Sequence, residues 1–296
     1  MKVGVLPLFH RDTICDARWV EQFARIAEEA GCESIWGVEH VLVAEGYEPR
    51  YPYSADGRMP GNDETVMPDP LEWLSFVAAC TSRIRLGTSV LVLPQHSAVV
   101  LAKRLATLDA LSEGRVEAGV GLGWQREEYA AIGVPFEQRV ARMEESIRAM
   151  RALWQPGAAS FDGETVHFHR VHCDPKPKQP GGIPIVIGGS SPAAARRAGR
   201  LGDGFYPYVI SPPELAERIT ELRTAAVESN RDPDEIEITV WPGSWRWGAA
   251  HDSGLLAEYT ALGVSRLVVS AGEAGDTRAD GLARFLDGFL SRTSRL

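Results

Sequence analysis

Eight strand-like apolar runs, each followed by helix-like sequence, recur along this chain from end to end. The runs are Lys2–Pro7, Ser34–Val38, Ile84–Leu93, Val116–Val120, Ile183–Ile187, Gly204–Tyr208, Glu237–Trp241 and Arg266–Ser270. Helical segments follow at Asp16–Ala30, Asp69–Ala79, Ser97–Leu111, Glu127–Ala131 with Phe136–Trp154, Pro192–Arg200, Pro213–Ser229, Ser253–Leu262 and Ala279–Ser291. Trp19, Phe23, Ile26 and Ala27 share one face of the first helix, and Gly31 stops it. Evenly spaced strand–helix units predict an α/β fold, a closed (β/α)8 TIM barrel, in one domain spanning 1–296. An open doubly wound sheet is the structural alternative. A barrel of this kind takes ~250 residues. The excess lies in two long insertions, expected at the C-terminal face.

The first insertion, Ala44–Pro68, is polar and rich in Pro and Gly. At roughly 25 residues it exceeds an ordinary connection and reads as a lid, a binding loop or a disordered segment. We expect it to be mobile without ligand and ordered over an occupied site. The second, Ser160–Pro180, carries a turn signal at Asp162-Gly163 between short strands.

Composition excludes several classes. With 44% apolar and 24% charged residues the chain is globular, and no run approaches the ~20 apolar residues of a membrane span. The net charge of −9 and the lack of a basic cluster argue against nucleic acid and anionic membranes. The N-terminus enters a strand directly, without the apolar core of a signal peptide, so a cytoplasmic location is expected. Cys15, Cys32, Cys80 and Cys173 are too scattered for a disulfide framework and read as reduced.

In a barrel of this type the chemistry sits where the strands end. Ile187-Gly188-Gly189-Ser190-Ser191-Pro192 lies where the fifth strand becomes a helix. Ser191 suits the cap and Pro192 the first turn, and the glycines let an anion approach backbone amides at a helix N-terminus. A tight capped turn is the plainer alternative. Gly119-Val120-Gly121-Leu122-Gly123-Trp124 lacks dinucleotide-fold spacing and reads as a strand end lying flat against a planar ring, or as close strand–helix packing. His40, after Glu39, ends the second strand, as either a structural histidine or a functional one. Trp241, Trp245 and Trp247 suggest an aromatic pocket wall. His167, His169, His172 and Cys173 have metal-ligand spacing but no evident carboxylate, and no metal site is expected.

Two stretches carry a wider resemblance: RIRLGTSVLVLPQHSAVVLAKRLATLDALSEGRVEAGVGLGW, within Arg83–Trp154, and IPIVIGGSSPAAARRAGRLGDGFYP, within Asp174–Pro207. They resemble the bacterial luciferase-like family of flavin and deazaflavin oxidoreductases, most of all the branch using coenzyme F-420. The resemblance implies a cofactor ring over the strand ends, borne by Thr88, Ser89 and Val90, with a cis peptide at Ser89-Val90. It places Gly121, Leu122, Gly123 and Trp124 beside the ring, and Gly188, Gly189, Ser190 and Ser191 on the phosphate. His40 matches the family's second-strand histidine, implied in cofactor contact or proton transfer. Phe9, Trp124, Trp241 and Trp245 are the expected substrate pocket.

Two departures narrow the substrate. The sugar-phosphate dehydrogenase branch has an acid where Trp124 stands and an aromatic where Ala44 stands. The expected activity is hydride transfer between F-420 and an apolar or aromatic organic substrate. The alternatives are an FMN-dependent monooxygenase, supplied with reduced flavin by a reductase, and a non-catalytic flavin-binding relative. A small-molecule substrate and a homodimer complete the expected partners.

Overall fold

The computed structural model describes residues 1–61, 65–276 and 278–296. Among these, eight parallel strands follow one another around a closed ring: β1 (Lys2–Leu6), β2 (Ser34–Gly37), β3 (Arg85–Thr88), β4 (Val116–Gly121), β5 (Ile185–Gly188), β6 (Gly204–Tyr206), β7 (Glu237–Val240) and β8 (Arg266–Ser270). β8 pairs with β1 from Lys2↔Arg266 to Leu6↔Ser270, and β3 meets β4 at Leu86↔Val116, which closes the sheet. This is the expected (β/α)8 barrel.

Alternation along β8 shows why the pattern closes. Leu267 and Val269 face the layer beneath the helices, while Val268 joins Leu6, Trp36, Val186 and Tyr206 in a separate apolar cluster inside the ring. Helices α1 (Ala17–Ala30), α2 (Pro70–Cys80) and α3 (Ala98–Leu111) cover the first strands. α4 (Arg126–Ile132) and α5 (Arg139–Trp154) follow β4, and α6 (Pro192–Leu201), α7 (Pro212–Glu228), α8 (Pro242–Trp245), α9 (Ser253–Ala261) and α10 (Ala279–Thr293) complete the shell. Their starts are chemically marked. Asp16 accepts from the Trp19 amide at 2.8 Å, and Asp69 accepts from Leu71 at 2.9 Å ahead of Pro70.

The third strand departs from expectation. Ile84–Leu93 is not one run: β3 ends at Thr88, the Ser89-Val90 peptide is cis, and Leu91–Val92 then pairs with Val120 and Gly121 of β4. Apolar periodicity does not register such a break, because the residues on both sides are equally buried. The cis peptide itself stands where the resemblance put it. The second insertion also departs. It leaves between α5 and β5, where the strands begin, so it does not lie at the C-terminal face. Its hairpin, Ala159–Asp162 with His167–Val171, packs along α5, where Glu145 accepts from the Thr165 amide at 2.8 Å. The connection into a parallel strand arrives at its N-terminal end, so only the first insertion overhangs the mouth.

At the floor, Arg266 is 1% exposed and is paired on both sides. Its Nε and Nη2 donate to Glu33 at 2.8 and 2.9 Å, and Nη2 and Nη1 donate to Glu117 at 2.8 and 3.1 Å. Burial opposes its charge, yet Glu117 and Glu33 hold the guanidinium above its ordinary value.

Candidate active site

The ends of β2 to β6 converge on one mouth. Past the end of β2, Glu39 and His40 are neighbours in the chain with different partners. Glu39 is buried; it accepts from the Val92 amide at 2.6 Å and meets His96 Nε2 at 3.0 Å, bracing the chain just beyond the cis peptide. His40 places Nδ1 3.4 Å from Oε2 of Glu128 and stands edge-on to Trp124, with ring centroids 6.1 Å apart.

Around the third and fourth strand ends the backbone lies close to its neighbours. Thr88 is buried and donates its hydroxyl to the Gly119 carbonyl at 2.8 Å. The Val90 side chain fills the space that a Cβ would need at both Gly121 and Gly188, with its methyl carbons 2.5 Å from those positions. Any larger residue at either strand end would displace Val90. Leu122 accepts from the Tyr129 hydroxyl at 2.5 Å, Gly123 turns the chain at φ +66°, and Trp124 follows half-buried. Its indole Nε1–H is buried without an acceptor among the described residues. An orphaned buried donor of this kind costs about 1–3 kcal/mol.

Beside the end of β4, Gly188–Ser191 leads from β5 into α6. Gly189 has φ +106°, a conformation that side chains disfavour, and Ser191 caps the helix through the Ala194 amide at 3.2 Å. Ser190 accepts from the Tyr208 amide at 2.9 Å, tying this turn to the end of β6.

The first insertion does not stand clear of these residues. Tyr47 and Tyr51 pack edge-on against Trp124 at 5.1 and 5.2 Å, and Tyr53 packs against Tyr208 at 5.0 Å. Tyr208 in turn meets Trp241 at 5.9 Å. The Tyr53 hydroxyl lies 3.7 Å from the Cβ position of Gly189. Burial pushes the Tyr53 phenol up, against the opposing influence of Ser190. Burial likewise raises Tyr51 and Tyr208. These phenols are neutral at physiological pH. The strap is anchored below: Gln125, with its amide oriented to suit both partners, donates to Leu42 O at 3.2 Å and accepts from the Ala44 amide at 2.9 Å. Residues 62–64 of the insertion lie outside the described residues.

The structure therefore brings together His40, Thr88, Ser89, Val90, Gly121–Trp124 and Gly188–Ser191. The expected substrate wall divides. Phe9 and Trp241 are half-buried against the apolar cluster inside the ring, whereas Trp245 is 42% exposed beside Arg246. Trp247 is 64% exposed, with its ring edge 3.2 Å from the Cβ position of Gly272. Sequence reasoning missed Glu128, Gln125 and the three strap tyrosines. A signal existed for two of them. Gln125, Glu128, Tyr129 and Ile132 form a helical stripe, and a carboxylate on its inward side marks a partner within.

A family model described as luciferase-like monooxygenase matches residues 1–244. The chain belongs to this family. It is 40% identical over 269 residues to an uncharacterized protein of Mycobacterium tuberculosis, covering 89% of this chain and 90% of the relative. It is 36% identical over 225 residues to an F420-dependent glucose-6-phosphate dehydrogenase of Kineococcus radiotolerans, covering 74% of this chain and 61% of that protein. Two solved structures share the fold. An F420-dependent secondary alcohol dehydrogenase superposes with TM-score 0.76 at 17% identity, covering 97% of each chain. Monooxygenase RslO1 from Streptomyces bottropensis gives 0.73 at 22% identity, covering 100% of this chain and 99% of the other. Luciferase-like enzymes of this kind use a deazaflavin or a flavin. Among the described residues, no group of three His, Cys, Asp or Glu could hold a metal ion, and no helix is long and apolar enough to cross a membrane.

Proposed function

We propose that this luciferase-like chain transfers a hydride between the deazaflavin coenzyme F-420 and an apolar or aromatic organic substrate. The observation that carries the reading is the pair of adjacent strand ends at the mouth. A glycine turn opening a ten-residue helix lies at the end of β5, beside the end of β4, where a buried indole N–H lacks an acceptor among the described residues. These residues fit a phosphorylated, planar, carbonyl-bearing group. Backbone amides at a helix N-terminus attract the phosphate, and Trp124 Nε1 offers a donor to a ring oxygen.

When bound, the deazaflavin supplies the two-electron hydride chemistry. The chain supplies binding and orientation. Gly188, Gly189, Ser190 and Ser191 hold the phosphate. Thr88, Ser89 and Val90 with Gly121, Leu122, Gly123 and Trp124 bear the ring. His40 holds or moves the accompanying proton at its imidazole. Phe9, Trp124 and Trp241 favour an apolar substrate, and Trp124 offers no carboxyl of the kind the sugar-phosphate branch has. The tyrosine strap excludes water.

Titrating the purified protein with F-420 and with FMN, followed by fluorescence, tests the cofactor. F-420 is expected to bind more tightly. Stronger binding of FMN would replace this reading with the monooxygenase one.

Gly189→Val forces a branched side chain into a positive-φ position beside the phosphate turn. F-420 affinity is expected to fall at least a few-fold, and unchanged affinity in a folded variant would remove the phosphate assignment. Tyr53→Phe should act in the opposite direction. Its hydroxyl lies 3.7 Å from the Cβ position of Gly189, in the space beside the turn that the phosphate needs, so deleting the oxygen removes a competitor. Affinity is expected to rise a few-fold by the same titration. Weaker binding would mean that Tyr53 instead contacts the bound cofactor.

A further inference from the structure

We propose that Glu128 fixes the tautomer of His40, keeping the neutral imidazole's proton on Nδ1 and leaving the lone pair on Nε2. Glu128 is a positioning residue: it touches His40 and the chain beside it. That His40 then serves hydride transfer rests on the function proposed above, whereas the tautomer itself does not.

The Glu128 side chain is fully buried at the start of α4. Burial alone would raise its carboxyl. Hydrogen bonding to His40 and from the Val41 amide outweighs that and holds it below its ordinary value. An ionised carboxylate only accepts hydrogen bonds. Its Oε1 is already taken by the Val41 amide at 2.7 Å and the Leu42 amide at 3.4 Å. Oε2 is the oxygen left for the ring, 3.4 Å from Nδ1. Two lone-pair atoms cannot face each other favourably, so Nδ1 carries the proton. The contact is long for a hydrogen bond, and such contacts commonly tighten in the ligand complex.

The surroundings keep the ring from turning away. Glu128 and Gln125 together hold the amides of Val41, Leu42 and Ala44 and the carbonyl of Leu42, so residues 41–44 are stapled to α4 directly after His40. Trp124 stands edge-on to the imidazole. Nε2 is thereby the nitrogen free to accept a proton from a ligand.

The test is a long-range proton–nitrogen NMR correlation on histidine-labelled protein, with His40→Gln assigning the signal. Wild-type neutral His40 is expected with its hydrogen on Nδ1. In Glu128→Gln the amide oxygen stays on the Val41 N–H, which puts the amide nitrogen opposite Nδ1. A donor now faces the ring, so the proton must move to Nε2. Inversion of the tautomer is the expected result. A wild-type hydrogen on Nε2, or a variant that keeps it on Nδ1, overturns the proposal. The wild-type spectrum decides alone if the variant does not fold.

Glu128→Asp retains an acceptor and should keep the wild-type tautomer. Where turnover with F-420 is measurable, Glu128→Gln should lose about 10²-fold or more in kcat with little change in KM. The same amide exchange costs about 10⁴ in serine-protease triads by imposing the wrong tautomer. An inverted tautomer with unchanged turnover upholds the Glu128 assignment and counts against His40 as the proton-handling group.

Discussion

Exchanging His40 for Gln should lower turnover by about 10²-fold or more while leaving cofactor affinity almost unchanged. Glutamine keeps one donor and one acceptor, so a ring contact survives, but it cannot carry a proton at neutral pH. The environment supports this separation of roles. His40 lies at the mouth, with 10% of its side chain exposed. The fold should survive the exchange, because Val41 and Leu42 keep their bonds to Glu128. Steady-state kinetics and fluorescence titration together check the result. Wild-type turnover would reduce His40 to a positioning role, and lost cofactor binding in a folded variant would make it a ring contact.

Arg266→Ala should destabilise the fold by about 3–5 kcal/mol, the cost of leaving buried charges without their partner. Arg266 bridges the first residue of β8 to Glu33 and to Glu117 of β4, on nearly opposite sides of the ring. Glu117 is 5% exposed and would lose that bridge while keeping its bond to Arg85. The midpoint of urea unfolding measures the loss, and an unchanged midpoint would show that the floor network contributes nothing.

The acid limb gives a second readout. Burial would raise the Glu33 carboxyl, but its bonds to Arg266 prevail and it titrates below its ordinary value. The native state therefore binds fewer protons than the unfolded chain around pH 4, so this part of stability is present above the unfolded carboxyl's pKa and fades as pH falls. Arg266→Ala should flatten the stability curve in that acidic range.

The strap gives a dynamic expectation. Hydrogen exchange in 44–61 should slow when cofactor and substrate are bound, and slow exchange in both states would make the segment a fixed wall.

Much of the barrel was legible in the chain because local chemistry and burial point the same way. β8 occupies Arg266–Ser270 as its pattern predicts, and the helices begin at Asp16, Asp69 and Ser191 because a capping oxygen precedes each first turn. The capped glycine turn at Gly188–Ser191 was readable for the same reason. What resisted reading lies between elements distant in sequence. Periodicity joined β3 to Leu91–Val92, since a break inside an equally buried run leaves no trace in apolar order. Glu128 stands in the first turn of a helix, where an acid is ordinary, and its meaning depends on His40, 88 residues away.

The alternation of strand and helix, set by side-chain period and caps, determined by itself an α/β chain of eight strand–helix units with strand ends at Glu39–His40, Gly121–Trp124 and Gly188–Ser191, and left an open sheet as the alternative to the barrel that the β8–β1 pairing closes. Only the tertiary structure decided that Tyr47, Tyr51 and Tyr53 lie across that mouth, and that a buried carboxylate stands behind His40. The physical reason is range. Caps and periods act within a few residues, whereas a ring packing on a ring or a carboxylate meeting an imidazole is selected by the closed geometry of the whole barrel.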